Sequence, residues 1–232
     1  MSVLLLVAIV VGLVFVVVNR PADTPSVQGS AVSETAQPTN DTQESATQAQ
    51  PRQGESFCGL EAKDMVVPNN ALPSSPVEVG DGLLVPGVDG YGPGVTDGIS
   101  KCFSHNPSGA VLAAANFMTW FSSMQQLDEV SKQLFAEGVN KDRMVAAVKD
   151  EWQGQTGSAF TIYGYKYEDR GPDNAMVVLA VAQPFRPGDI VAWPVVLTWQ
   201  AGDWKVEAPA TDSWGEAAID SLALEGFVEW RP

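Results

Sequence analysis

Between residues 21 and 56 the chain carries no Leu, Ile, Met or aromatic side chain, and that gap limits everything it can build. The stretch is mostly Ser, Thr, Gln, Ala, Pro, Asp and Glu. It offers too little apolar area to offset the entropy of ordering its backbone, so a disordered stalk is expected there. A flexible coil of this length holds its ends some tens of ångströms apart, at ~5–6 Å times the root of residue number. Asn40-Asp41-Thr42 matches a glycosylation sequon, a tripeptide common by chance. Any folded core must therefore come from residues 57–232, which are long enough to bury one domain.

Ahead of the stalk, residues 3–18 are unbroken apolar sequence, dominated by Val and Leu. As a helix they would span roughly 24 Å, a little under the ~30 Å hydrocarbon core of a bilayer. The polar flanks Ser2, Asn19 and Arg20 can make up that difference. A cleaved signal peptide is the rival reading. It needs a basic segment before the apolar run and small residues at the cut, whereas the exit here reads Val-Val-Val-Asn-Arg-Pro. Residues 1–20 are thus expected to be a retained, single-pass membrane anchor. Arg20 pulls its own end weakly toward the cytoplasm, but one arginine orients little.

The net charge of -15 and isoelectric point near 4.2 argue against nucleic-acid binding, which requires a basic face. They equally disfavour attraction to anionic lipid. The densest cations, Lys132, Lys141, Arg143 and Lys149, alternate with Asp128, Glu129, Glu137, Asp142 and Asp150, as on a solvated helix face. Cys58 and Cys102 bracket a Pro/Gly-rich wrap over residues 57–104. Two possibilities stand: a disulfide pinning the ends of the wrap, or two unrelated buried thiols. A disulfide demands an oxidising compartment and would place the domain outside the membrane. Two cysteines and one histidine leave zinc without a fourth soft ligand, so no metal or cofactor is expected.

The remainder reads as helices followed by strands. Asn106 can cap a helix with Pro107 at its first position, and an alanine-rich run follows. Phe117, Trp120, Phe121 and Met124 then fall on one stripe. A second helix is expected over 127–137, stopped by Gly138. A third is expected to be capped by Asn140, with Met144, Val145, Val148 and Trp152 on one face. Residues 159–167 alternate as a strand that sets Tyr163, Tyr165 and Tyr167 on a common face. After a turn at 169–174, residues 175–182 form a continuous apolar strand. Residues 190–200 alternate with Trp193 and Trp199 on one side, and 204–208 make a short strand. A last helix is expected over 215–224. The expected class is α+β: helices on one face of a curved antiparallel sheet, a cone resembling nuclear transport factor two.

Cys58-Gly59-Leu60, the run Lys101-Cys102-Phe103-Ser104-His105-Asn106-Pro107-Ser108-Gly109-Ala110, and Gly202-Asp203-Trp204-Lys205-Val206 together resemble a group of actinobacterial membrane-anchored proteins. The group carries a C-terminal domain of unknown function. Some members look like accessory proteins of integrative or conjugative elements. The resemblance implies an extracytoplasmic compartment and supplies no catalytic residues.

Of the chemical candidates, His105 is the chain's one histidine, and it lies just before a helix N-terminus. It is either a pocket-mouth base or a structural group that fixes the helix entrance, and no Ser or Cys nucleophile stands in a recognised local motif. The pairs Asp150/Glu151 and Asp212/Glu216 read as solubilising surface. The loop 90–94 lacks the strand-to-helix setting of a phosphate cradle. His105, Tyr163, Tyr165, Tyr167, Trp193 and Trp199, with Trp204 beside them, are the candidates for a pocket or interface. The expectation is a non-enzymatic, membrane-anchored accessory of an envelope complex that meets other envelope proteins. The alternative is a small-ligand-binding cone domain.

Overall fold

The structure, a computed structural model, describes residues 55–211 and 213–232. The expected anchor and residues 21–54 of the expected stalk lie outside them, as does Asp212. Among the described residues no helix is long and apolar enough to cross a membrane.

The chain first forms a hairpin, β1 (Ser75–Val79) and β2 (Leu83–Gly87), then three helices, α1 (Pro107–Ser123), α2 (Leu127–Gln133) and α3 (Val139–Glu151). Six strands follow: β3 (Thr161–Asp169), β4 (Asn174–Ala182), β5 (Val191–Gln200), β6 (Asp203–Val206), β7 (Ala217–Ala218) and β8 (Val228–Glu229). They make one antiparallel sheet of order β6-β5-β4-β3-β8, with β7 beside the free half of β5. Mixed helix and antiparallel sheet is the class the sequence implied.

Helix α1 is buried on all sides, every residue except Ser122 being buried. Its sheet side packs on β3, β4, β5 and β6, and its far side meets β2. Alanines at 110 and 113–115 let both layers approach closely. The wrap thus acts as a third layer over the helix. It adheres through a buried polar chain: Trp120 Nε1 donates to Ser100 Oγ (2.8 Å), which donates to Asn116 Oδ1 (2.8 Å). Asn116 Nδ2 in turn donates to the Pro86 carbonyl (2.8 Å). Every member finds a partner, so the network costs little and fixes the register of helix against wrap.

Several elements differ from expectation, each for a local reason. The hairpin in the wrap was not expected, since Pro76 and Pro86 disfavour strand pairing; here they sit opposite each other, and Gly80 and Gly82 take positive φ (52° and 81°) to turn the chain. Helix α2 stops at Gln133 rather than 137, because the following residues pair with the edge of β6: Ala136 N donates to Val206 O, and Val206 N to Leu134 O. Helix α3 is entered from Gly138 (φ 147°), not capped by Asn140.

The helix expected over 215–224 is replaced by β7, whose alanines pair with Val191 and Ala192 along an edge that β6 is too short to cover. Tertiary pairing there overrides alanine's helical preference. On β3 a bulge interrupts the register between Ile162 and Gly164. The extra residue is Tyr163, which is thrown off the face shared by Tyr165 and Tyr167.

Candidate functional site

The three sequence motifs, far apart in the chain, converge where it enters the domain. Cys58 and Cys102 are joined in a disulfide that closes a 44-residue separation. Just before it, Phe57 N donates to Gly202 O (2.9 Å). Gly202 has φ 76°, and a Cβ there would sit 2.9 Å from Phe57 N, so glycine is required on both counts. Gly94 is required by proximity alone: its Cβ would come within 2.5 Å of Cys58 Sγ.

Asp203 joins the two halves of this clasp. Its buried carboxylate accepts from Cys102 N (3.1 Å), Phe103 N (3.0 Å) and Trp204 N (3.0 Å), and Lys205 Nζ lies at 3.2 Å. Cys102 adopts φ 69°, which turns two successive N–H groups toward one anion. Trp204 Nε1 donates to Ser104 O (3.0 Å), so two neighbouring side chains grip successive stretches of the wrap. Asn106 then caps α1: Oδ1 accepts from Gly109 N (2.8 Å) and from Ser104 Oγ (2.9 Å), and Nδ2 donates to the Lys63 carbonyl.

His105 lies between these contacts. Its ring stacks on Trp199 (centroids 4.0 Å, 10°) and meets Trp204 edge-on (5.4 Å). Nε2 is 2.9 Å from the Pro172 carbonyl and 3.2 Å from Asp173 Oδ1, while Asp173 O accepts from Trp199 N (2.7 Å). The imidazole therefore links the helix entrance to the β3–β4 turn. General base chemistry needs a nucleophile or substrate proton within hydrogen-bond reach. The nearest hydroxyl in sequence, Ser104, is buried and committed to Asn106.

The remaining candidates are distributed to other places. Tyr165 is fully buried, and its hydroxyl donates to Asn70 O (2.8 Å); burial pushes this phenol up to about 12. Tyr167 is half-buried on the same face, and burial, then Asp169, raises its pKa. Tyr163 lies under the Arg231 guanidinium at 4.9 Å. Trp193 belongs to another cluster, with Phe160 at 6.1 Å and Trp214 at 6.0 Å. Thus the structure brings together His105, Trp199 and Trp204, and separates them from Trp193 and from the tyrosines.

Sequence reasoning passed over Asp203, Asn116, Arg143 and Trp214. Asn116 was visible as a lone amide in an alanine-rich run, and Trp214 as a lone aromatic in a polar stretch. Asp203 stood inside the Gly-Asp-Trp-Lys-Val motif, but its role did not show, because its partners Cys102 and Phe103 are a hundred residues away. Arg143 reads as part of a solvated face, yet its guanidinium donates to the carbonyls of Pro209 and Ala210. Lys132 does pair along its helix, with Asp128 and Glu129, and Lys141 pairs with Glu137 just before its own helix. A separate open groove of about 430 Å³, lined in part by Glu78, Asp81, Asp97 and Gln126, is polar and contains none of the candidates.

A family model described as "Domain of unknown function (DUF8175)" matches residues 36–229. No curated protein and no solved structure matches the chain.

Proposed function

We propose that this chain, which belongs to the DUF8175 family, is a membrane-tethered, non-enzymatic accessory protein of an extracytoplasmic envelope assembly. The observation that carries the reading is the clasp. The Cys-Gly-Leu, Cys-Phe-Ser-His-Asn-Pro and Gly-Asp-Trp-Lys-Val motifs spend their polar groups on locking the first residues of the domain to helix and sheet, with a disulfide at the centre. A domain held by a tether meets any load at that point, and a disulfide there fits an oxidising compartment. The cone shape resembling nuclear transport factor two, the actinobacterial setting and a place in conjugative transfer machinery belong to the same proposal.

The test is mild cross-linking of the full chain in its native membrane, followed by purification and mass spectrometry. Recurrent envelope partners are the expected result, and recovery of the chain alone overturns the reading. A second reading, a small-ligand-binding domain, is favoured by one observation: Trp193 Nε1 is buried with no hydrogen-bond partner among the described residues.

A further inference from the structure

We infer that Trp214 is a displaceable plug in a binding site for a flat, uncharged, apolar molecule that carries a hydrogen-bond acceptor. The inference rests on the second reading above and deepens it.

The indole of Trp214 lies 5.7 Å from Phe117 and 5.4 Å from Phe121 of α1, 6.2 Å from Phe135, and 6.0 Å from Trp193 of β5. Those four rings belong to the buried core, whereas the residues around the plug, Thr211, Ser213, Gly215 and Glu216, are exposed. One aromatic ring thus reaches into the domain from a strap that otherwise lies on the surface. From Ser213 to Glu216 the described hydrogen bonds run within the strap: Ser213 Oγ and Trp214 N both donate to Glu216 Oε2, and Gly215 N donates to Ser213 Oγ. The strap is pinned at its ends, by Arg143 on the carbonyls of Pro209 and Ala210 and by β7 on β5. The ring contacts belong to Trp214, and the sheet pairing beside it belongs to Ala217 and Ala218.

One of these four rings carries a polar atom without a partner among the described residues. Trp193 is 7% exposed and its Nε1 has no acceptor among the described residues. The other deeply buried indoles find one: Trp120 reaches Ser100, Trp204 reaches Ser104, and Trp230 reaches Leu72 and Ser74. An unpaired buried donor is a cost that an incoming acceptor removes, so the site discriminates for a molecule bearing one. Four aromatic walls select a flat apolar body, and Trp214 sets its size at about a bicyclic ring. The acidic balance of the chain, net -15, selects against an anion.

The experiment follows the Trp193 indole N–H by ¹⁵N NMR in the full chain in detergent micelles, with the resonance assigned by Trp193→Phe. Quinoline, a flat bicycle with one acceptor, is compared with naphthalene, which has none. In Trp214→Ala, quinoline is expected to shift that resonance downfield and to saturate at roughly tenfold lower concentration than in the unaltered chain. Naphthalene is expected to bind about fivefold more weakly than quinoline, the value of one net hydrogen bond. Arg143→Ala frees one end of the strap with Trp214 retained; it should tighten quinoline binding by a smaller factor, and it stands in if Trp214→Ala does not fold. Equal responses to the two probes, or a Trp193 resonance unmoved in every folded variant, overturn the inference. Shifts elsewhere with Trp193 unmoved sink the plug and leave the ligand-binding reading standing; no shift anywhere sinks both.

Discussion

At Asp203 one carboxylate accepts from three backbone N–H groups, and its removal strands two of them, on Cys102 and Phe103, inside the clasp. Asp203→Ala is expected to cost about 3–5 kcal/mol, the range for taking one member from a buried charged network. Asp203→Asn, which keeps one accepting oxygen but turns a donor toward an N–H, should fall between; urea unfolding of the two variants checks the order. Tyr165 supplies a pH-dependent counterpart. Its phenol is raised to about 12 by burial, against 10.0 in the unfolded chain. The contribution is whole below pH 10 and disappears as pH rises through the folded value, because the unfolded chain ionises first. Roughly 2–3 kcal/mol should be lost between pH 10 and 12. Tyr91 and Tyr167 are also raised, the first by its hydrogen bond to Asp64, so the isolating measurement is the difference between the unaltered chain and Tyr165→Phe. An identical alkaline profile for both would refute the assignment.

Helix α1 shows how an element's surroundings reverse a propensity rule. Alanine is the best helix former and glycine among the worst, so Gly109→Ala in a helix should stabilise. Here a Cβ at 109 would sit 2.0 Å from the Ser104 carbonyl, whose loop is held by Trp204 and Asn106. Backbone that is pinned from two sides cannot withdraw. Gly109→Ala is expected to destabilise by about 3 kcal/mol, an overpacking cost at the upper end of its range. That corresponds to a melting temperature roughly 6–12 °C lower. A melt that rose instead would mean the loop yields.

At the scale of the molecule the disulfide decides how much of the wrap stays in place. It closes a 44-residue separation, and loop-closure entropy alone assigns it about 4 kcal/mol. The double variant Cys58→Ser/Cys102→Ser should lose about that much in chemical denaturation. In whole cells neither thiol should react with a maleimide before reduction, since Cys102 is inaccessible as well as oxidised. Labelling without reductant would remove the main support for an outward-facing domain.

The mixed helix and antiparallel-sheet class and the start of α1 were legible in residue order, because each depends on local rules. An apolar helical stripe and an Asn-Pro cap act within a turn or two of chain. What the sequence could not reveal depends on encounters between remote segments. The bulge at Tyr163 reverses a facing that alternation assigned, since one extra residue shifts the phase of every side chain on one side of it. Residues 217–218 became strand because an uncovered edge of β5 lay beside them. Asp203 and Arg143 acquired their roles from carbonyl and N–H groups presented by other parts of the chain. Sequence alone thus determined the class of fold and the start of its central helix. Tertiary structure decided which polar side chains are spent on holding the fold and left Trp193 Nε1 unpaired among the described residues, because hydrogen bonds between distant segments exist only once packing has brought their partners within reach.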